Sequence, residues 1–158
     1  MFIWTARLPR KRVAAGVIAA AFLCGAALTA GGFFRGRDAE ASAAVSPKGV
    51  RTNEDRVAYL ASYGWTVTPD PVSVEELVIP EEFDDTYTQY VDLQASQGFD
   101  LTRYCGKRVK RYTYTVTNYP SGESGVLAGL LIYRNTVIGG DVLSTDLGGF
   151  IHGLARPG

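Results

Sequence analysis

The chain has 158 residues, with 16 Lys and Arg balancing 16 Asp and Glu, and 46% of its residues are hydrophobic. That length sets a prior of one domain plus a short extension. The neutral total hides segregation: residues 52–158 carry eight bases against fourteen acids, a net acidity that excludes wholesale nucleic-acid binding.

The N-terminus holds Arg7, Arg10, Lys11 and Arg12 and no acid, and residues 13–34 hold no charge. At helical rise, 22 uncharged residues span roughly 33 Å, about the thickness of a hydrocarbon core. The basic cluster ahead of this stretch outweighs Arg35 and Arg37 behind it, which places the N-terminus in the cytoplasm. The expectation is a single-pass membrane protein, with a basic tail over 1–12 and a transmembrane anchor over 13–34. A linker over 35–51 and an extracytoplasmic domain over 52–158 follow. A cleaved signal peptide, with a site near Thr29-Ala30-Gly31, is the competing reading, and it too exports the domain. Leu23 ahead of Cys24 argues against a lipoprotein. Cys24 lies inside the apolar run and Cys105 far outside it, so on this topology they cannot pair, and neither a zinc site nor a disulfide framework is expected.

Residues 35–51 are small, polar and aperiodic, which reads as a flexible tether. Thr52 with Asp55 three residues on is a capping-box start. Val57, Leu60 and Ala61 then share one helical face, with Tyr59 and Tyr63 beside it, and Gly64 sits where a helix ends. Residues 74–79 read as a short strand. Pro80 is expected to open a second helix, with Glu81, Glu82, Asp84 and Asp85 in its first turn. Phe83, Tyr87, Tyr90 and Val91 form its apolar stripe, and it ends before Gly98.

The last third reads as an antiparallel meander. Over 110–118 the residues alternate, Tyr112, Tyr114 and Val116 on one side and Arg111, Thr113 and Thr115 on the other. Residues 126–133 are apolar on both faces, as a central strand would be. Arg134-Asn135-Thr136 makes a tight turn, and 137–144 returns, with Gly139-Gly140 marking a bulge or a close approach. The fold class is α+β: two helices packed on a small, mainly antiparallel sheet with a C-terminal three-strand meander, preceded by one transmembrane helix.

Five segments carry a family resemblance: Tyr63-Gly64-Trp65, Gln97-Gly98-Phe99-Asp100-Leu101, Arg111-Tyr112-Thr113-Tyr114, Val137-Ile138-Gly139-Gly140-Asp141 and Phe150-Ile151-His152-Gly153. In this order, across nearly all of residues 52–154, the chain resembles the domain of unknown function 4830 family, small anchored proteins of Gram-positive, clostridia-like bacteria. The resemblance implies a bacterial envelope location. It implies no reaction and supplies no catalytic residue.

Three features are candidate sites. Arg103, Lys107, Arg108, Lys110 and Arg111 follow a stretch of nine acids, and such a dipolar surface would steer a charged partner, for instance an envelope protein or an anionic wall or lipid component. His152 is the only histidine, and Asp141 and Ser144 lie near it in sequence, so a hydrolase built on these groups is conceivable although no nucleophile elbow surrounds them. Cys105 is a lone thiol. The acids lack EF-hand spacing, and no motif calls for a metal or cofactor. The expected function is a non-enzymatic binding module of the cell envelope. The alternatives are a regulatory subunit or inhibitor of a neighbouring membrane protein, and the hydrolase.

Overall fold

The computed structural model describes residues 45–158. The expected tail, anchor or signal peptide, and the first part of the linker lie outside the described residues. Among the described residues no helix is long and apolar enough to cross a membrane.

Helix α1 spans Asn53–Ser62. The Thr52 hydroxyl accepts from the Asp55 amide at 3.1 Å, and the Asp55 carboxylate accepts from the Thr52 amide at 2.9 Å, the expected reciprocal cap. Gly64 follows the helix at φ 87°, a backbone state that a side chain would strain. The buried face differs from expectation: it is Arg56, Tyr59 and Leu60, while Ala61 is exposed. Those three stand at i, i+3 and i+4, the same spacing turned by one residue.

Strand β1 spans Ser73–Val78. The second helix, α2, spans Asp85–Ser96 and starts later than Pro80 implied. The Ile79 amide donates to the Lys107 carbonyl at 3.0 Å, and the Gly106 amide donates to the Ile79 carbonyl at 2.8 Å. These bonds prolong the strand ladder and hold the chain extended at Pro80. The turn waits for Asp84, whose carboxylate accepts from the Tyr87 amide at 2.7 Å. Glu81 and Glu82 therefore lie outside the helix, and Phe83 stacks on Tyr87 from ahead of it. A four-residue 3-10 turn, Leu101–Tyr104, leads into β2, Arg108–Thr115. Strands β3 (Val126–Tyr133), β4 (Thr136–Ser144) and the short β5 (Ile151–His152) follow.

The five strands form one antiparallel sheet in the order β1-β2-β3-β4-β5, with β1 and β5 flanking the expected three-strand meander. Two helices on an antiparallel sheet are the expected α+β class. Arg134 and Asn135 both take positive φ, 47° and 62°, the two-residue turn whose twist matches a hairpin. In β4, Val137 pairs with Ile132 and Gly139 with Leu131, which leaves Ile138 as the extra residue of a bulge beside the two glycines.

The helices cover opposite faces. On one, Tyr59 and Leu60 of α1 pack with Tyr114, Val126, Leu130 and Val142. On the other, Tyr87 and Tyr90 of α2 pack with Leu77, Val109, Leu131 and Ile138. Alternation along β2 therefore sorts residues between two cores, rather than between a core and solvent. Residues Pro47 to Val50, part of the expected tether, belong to this body. The Gly49 and Val50 amides both donate to the Asn135 carbonyl at 3.0 Å, the Val137 amide donates to the Pro47 carbonyl at 2.8 Å, and Val50 is buried.

Candidate functional site

The fold splits the cluster of five bases. Arg103 bonds Asp100 at 3.1 Å on the surface. Arg111 points to the α2 side, its side chain 13% exposed. Lys107, Arg108 and Lys110 line a cleft of about 610 Å³ at the end of the sheet, on the α1 side. There they meet Arg51, Arg56 and Arg134, which come from the start of α1 and the β3–β4 turn. Tyr112, Tyr133 and Ile132 supply apolar wall, and Glu76 is the one acid among the lining residues. Glu76 bonds Arg108 at 2.9 Å. Among the described residues the side chains of Arg51, Arg56, Lys107, Lys110 and Arg134 form no ion pair, although the Asp55 carboxylate accepts from the Arg51 amide at 2.8 Å. Like charges held together around a concave wall raise the local potential and concentrate anions there.

Arg56 is the deepest of these, 9% exposed. Its place on the buried stripe of α1 sends it towards β2. Its Nε donates to the Tyr114 hydroxyl at 2.9 Å, and that hydroxyl donates onward to Asn53 Oδ1 at 2.8 Å. Its Nη1 donates to the Arg51 carbonyl at 3.4 Å, and its Cζ lies 3.8 Å from the centroid of the Tyr112 ring. Burial raises the Tyr114 hydroxyl pKa, and Arg56 pulls it back in part.

Asp141 belongs to a different arrangement. It is fully buried on the α2 side, where Oδ2 accepts from Arg111 Nη2 at 2.8 Å and Oδ1 accepts from the Tyr90 hydroxyl at 2.8 Å. Burial would depress the Arg111 pKa, but Asp141 and Tyr90 outweigh it and hold the guanidinium more firmly charged than usual. Tyr90 is pushed well up, first by burial and then by Asp141.

His152 is not brought to hydrogen-bonding distance of either imagined partner. Its Nδ1 lies 2.6 Å from the Gly153 carbonyl and its Nε2 3.2 Å from the Tyr119 hydroxyl. A carbonyl only accepts, so Nδ1 carries the proton, and in the neutral ring Nε2 accepts from Tyr119. Phe150 stacks on the ring at 5.3 Å, and Trp65 and Tyr119 close the cluster. Burial lowers the His152 pKa. Ser144 is buried, and its hydroxyl accepts from the Asp146 amide at 3.3 Å. Cys105 is a free, half-buried thiol at the end of the 3-10 turn. It lies near Tyr87, whose hydroxyl is buried without a hydrogen-bond partner among the described residues and is pushed up to about 12, by burial first and by Cys105 second.

Sequence reasoning missed Arg51, Arg56, Arg134 and Tyr112 as parts of one site. Arg56 carried a signal, since it stands four residues before Leu60 on the buried stripe. Arg51 and Arg134 carried none, because only the pairing of residues 49–50 with Asn135 joins them.

No curated protein and no solved structure matches this chain. The pattern of the family described as domain of unknown function (DUF4830) matches residues 59–142, and with more than half of its length inside that match, from α1 to β4, the chain belongs to this family.

Proposed function

We propose that this chain is a non-enzymatic module of the cell envelope, anchored in the membrane by residues 13–34 with its N-terminus in the cytoplasm, and that its basic cleft binds an anionic envelope component. One observation carries the reading. Residues 52–158 have six more acids than bases, yet four of their cations, together with Arg51 just ahead of them, gather in one cleft with no ion pair among the described residues. Bases scattered on an acidic domain would find partners, and cations left together retain their attraction for an outside anion. The path of the chain supports the same reading. Pro47 to Val50 run along the β3–β4 turn, so the segment that leads back to the proposed anchor leaves at the rim of the cleft. A site at that rim lies within reach of the bilayer surface.

Two measurements test the proposal. Protease added to intact cells digests the C-terminal domain without lysis; protection until lysis would remove the placement. The full chain in uncharged detergent micelles is retained on a dextran sulfate matrix and released by salt. Lys107→Glu with Lys110→Glu lowers that retention by about tenfold, as expected when attraction at two contacts turns to repulsion. Retention that ignores both salt and these substitutions would remove the cleft from the function.

A further inference from the structure

We infer that Arg56 makes the cleft selective for a phosphate ester group, reading its oxygens through the guanidinium edge that the protein leaves open. This rests on the reading of the cleft as an anion site and narrows it to one chemistry.

Arg56 is nine-tenths buried and has no carboxylate partner among the described residues. A buried charge ordinarily has one, because desolvation is costly. Its compensation here is a neutral hydroxyl, one long bond to a carbonyl and the face of Tyr112. Its Nη2 has no hydrogen-bond partner among the described residues, and the residue lines the cleft. A guanidinium has five N–H donors in a rigid plane, and a fork of this kind matches two oxygens of one phosphate.

The side chain is also held before any ligand arrives. Tyr114, fixed in turn by Asn53, sets Nε, and Tyr112 supports the plane from one side. Little rotamer freedom then remains to be lost on binding. The surroundings discriminate between anions. A carboxylate has two oxygens and one charge. A phosphate ester offers additional oxygens and, as a monoester, more charge. Arg51, Arg134, Lys107 and Lys110 stand around the same cleft to receive them. Its volume, about 610 Å³, admits a small organic phosphate as readily as an inorganic ion.

The experiment titrates the full chain in uncharged micelles with glycerol phosphate and with glutarate, a dicarboxylate of similar size. Glycerol phosphate saturates one site, raises the unfolding temperature of the unmodified protein, and binds about tenfold more tightly than glutarate, the difference expected of a charged hydrogen bond. Arg56→Lys keeps the charge and removes the fork, and lowers glycerol phosphate affinity by about tenfold. Tyr112→Leu removes the supporting ring instead of the guanidinium, and reduces the same affinity should Arg56→Lys fail to fold. Arg134→Ala weakens both ligands alike. Competition between glycerol phosphate and vesicles containing phosphatidylglycerol identifies the source: displacement by the vesicles assigns a lipid headgroup, and displacement only by a soluble glycerol phosphate polymer assigns a wall component. Equal binding of phosphate and dicarboxylate, or full phosphate affinity in Arg56→Lys, would overturn the role of Arg56 and leave the cleft a general anion site. Binding of neither ligand would overturn both readings.

Discussion

At Gly129 a missing side chain makes room for a charge. A Cβ there would stand 2.6 Å from Arg111 Nη2 and 2.9 Å from its Cζ. Register explains the crowding. Gly129 pairs with Asp141 on β4 and with Thr113 on β2, so the Arg111 side chain crosses β3 diagonally over the glycine to reach the carboxylate. An isolated guanidinium would step aside cheaply, but this one is bonded to a fully buried Asp141. Gly129→Ala is expected to cost about 2 kcal/mol by displacing it, and Arg111→Ala about 3 kcal/mol by stranding the carboxylate. The two are not additive. With Arg111 gone the obstruction goes too, and Gly129→Ala becomes neutral or slightly stabilising, since alanine costs less backbone entropy than glycine in a strand. Urea unfolding of the two single variants and the double variant checks this, and additive costs would contradict it.

Strand β4 and helix α2 meet at a sheet edge that would otherwise be open. Strand β5 is two residues long and pairs only with Val142 and Leu143, so the backbone of Gly140 lacks a strand neighbour on that side. The carboxamide of Gln94 takes its place: Gly140 donates to Oε1 at 2.9 Å, and Nε2 donates to the Gly140 carbonyl at 3.0 Å. Gln97 adds a second bond to that carbonyl at 2.9 Å and accepts from the Leu154 amide at 2.6 Å. A side-chain amide has the same donor and acceptor as a peptide, so the last turns of α2 close the edge where a fifth strand runs out. Gln94→Leu keeps the bulk and orphans the buried Gly140 amide, while Gln97 still serves the carbonyl. It should cost about 2 kcal/mol and speed hydrogen exchange at the Gly140 amide. Unchanged exchange there would show that another group closes the edge.

Over the whole molecule, charge and burial decide how the protein responds to pH. His152 is packed among Trp65, Tyr119 and Phe150, and burial holds its pKa below the ordinary 6.5. The unfolded chain takes up a proton near that ordinary value, whereas the folded state resists it. This contribution to stability is complete above about pH 6.5 and is lost as the pH falls towards the depressed folded value. The unfolding temperature should therefore drop as the pH falls below about 6.5, and His152→Phe, which keeps the stacked ring, should flatten that part of the profile. An identical slope in the variant would assign the acid sensitivity to other groups.

Local chemistry alone determined much of the fold. The Thr52 cap, Gly64 and Gly98 at helix ends, the apolar run of β3, the turn at Arg134 and Asn135 and the bulge beside Gly139 all depend on neighbours a few residues apart, and all stand in the structure where the sequence puts them. Groups that depend on distant neighbours were not legible. Pro80 has every local right to open a helix, but the Ile79 pairing with Gly106 and Lys107 keeps that stretch extended. Five bases within nine residues look like one patch. Strand alternation sends Arg111 to the buried side and Lys110 to the cleft, and Asp100 takes Arg103. A strand's two faces and its register are fixed only when a partner strand and both covering helices are in place. Tertiary structure alone therefore decided which charges cancel inside the protein and which remain available to a ligand.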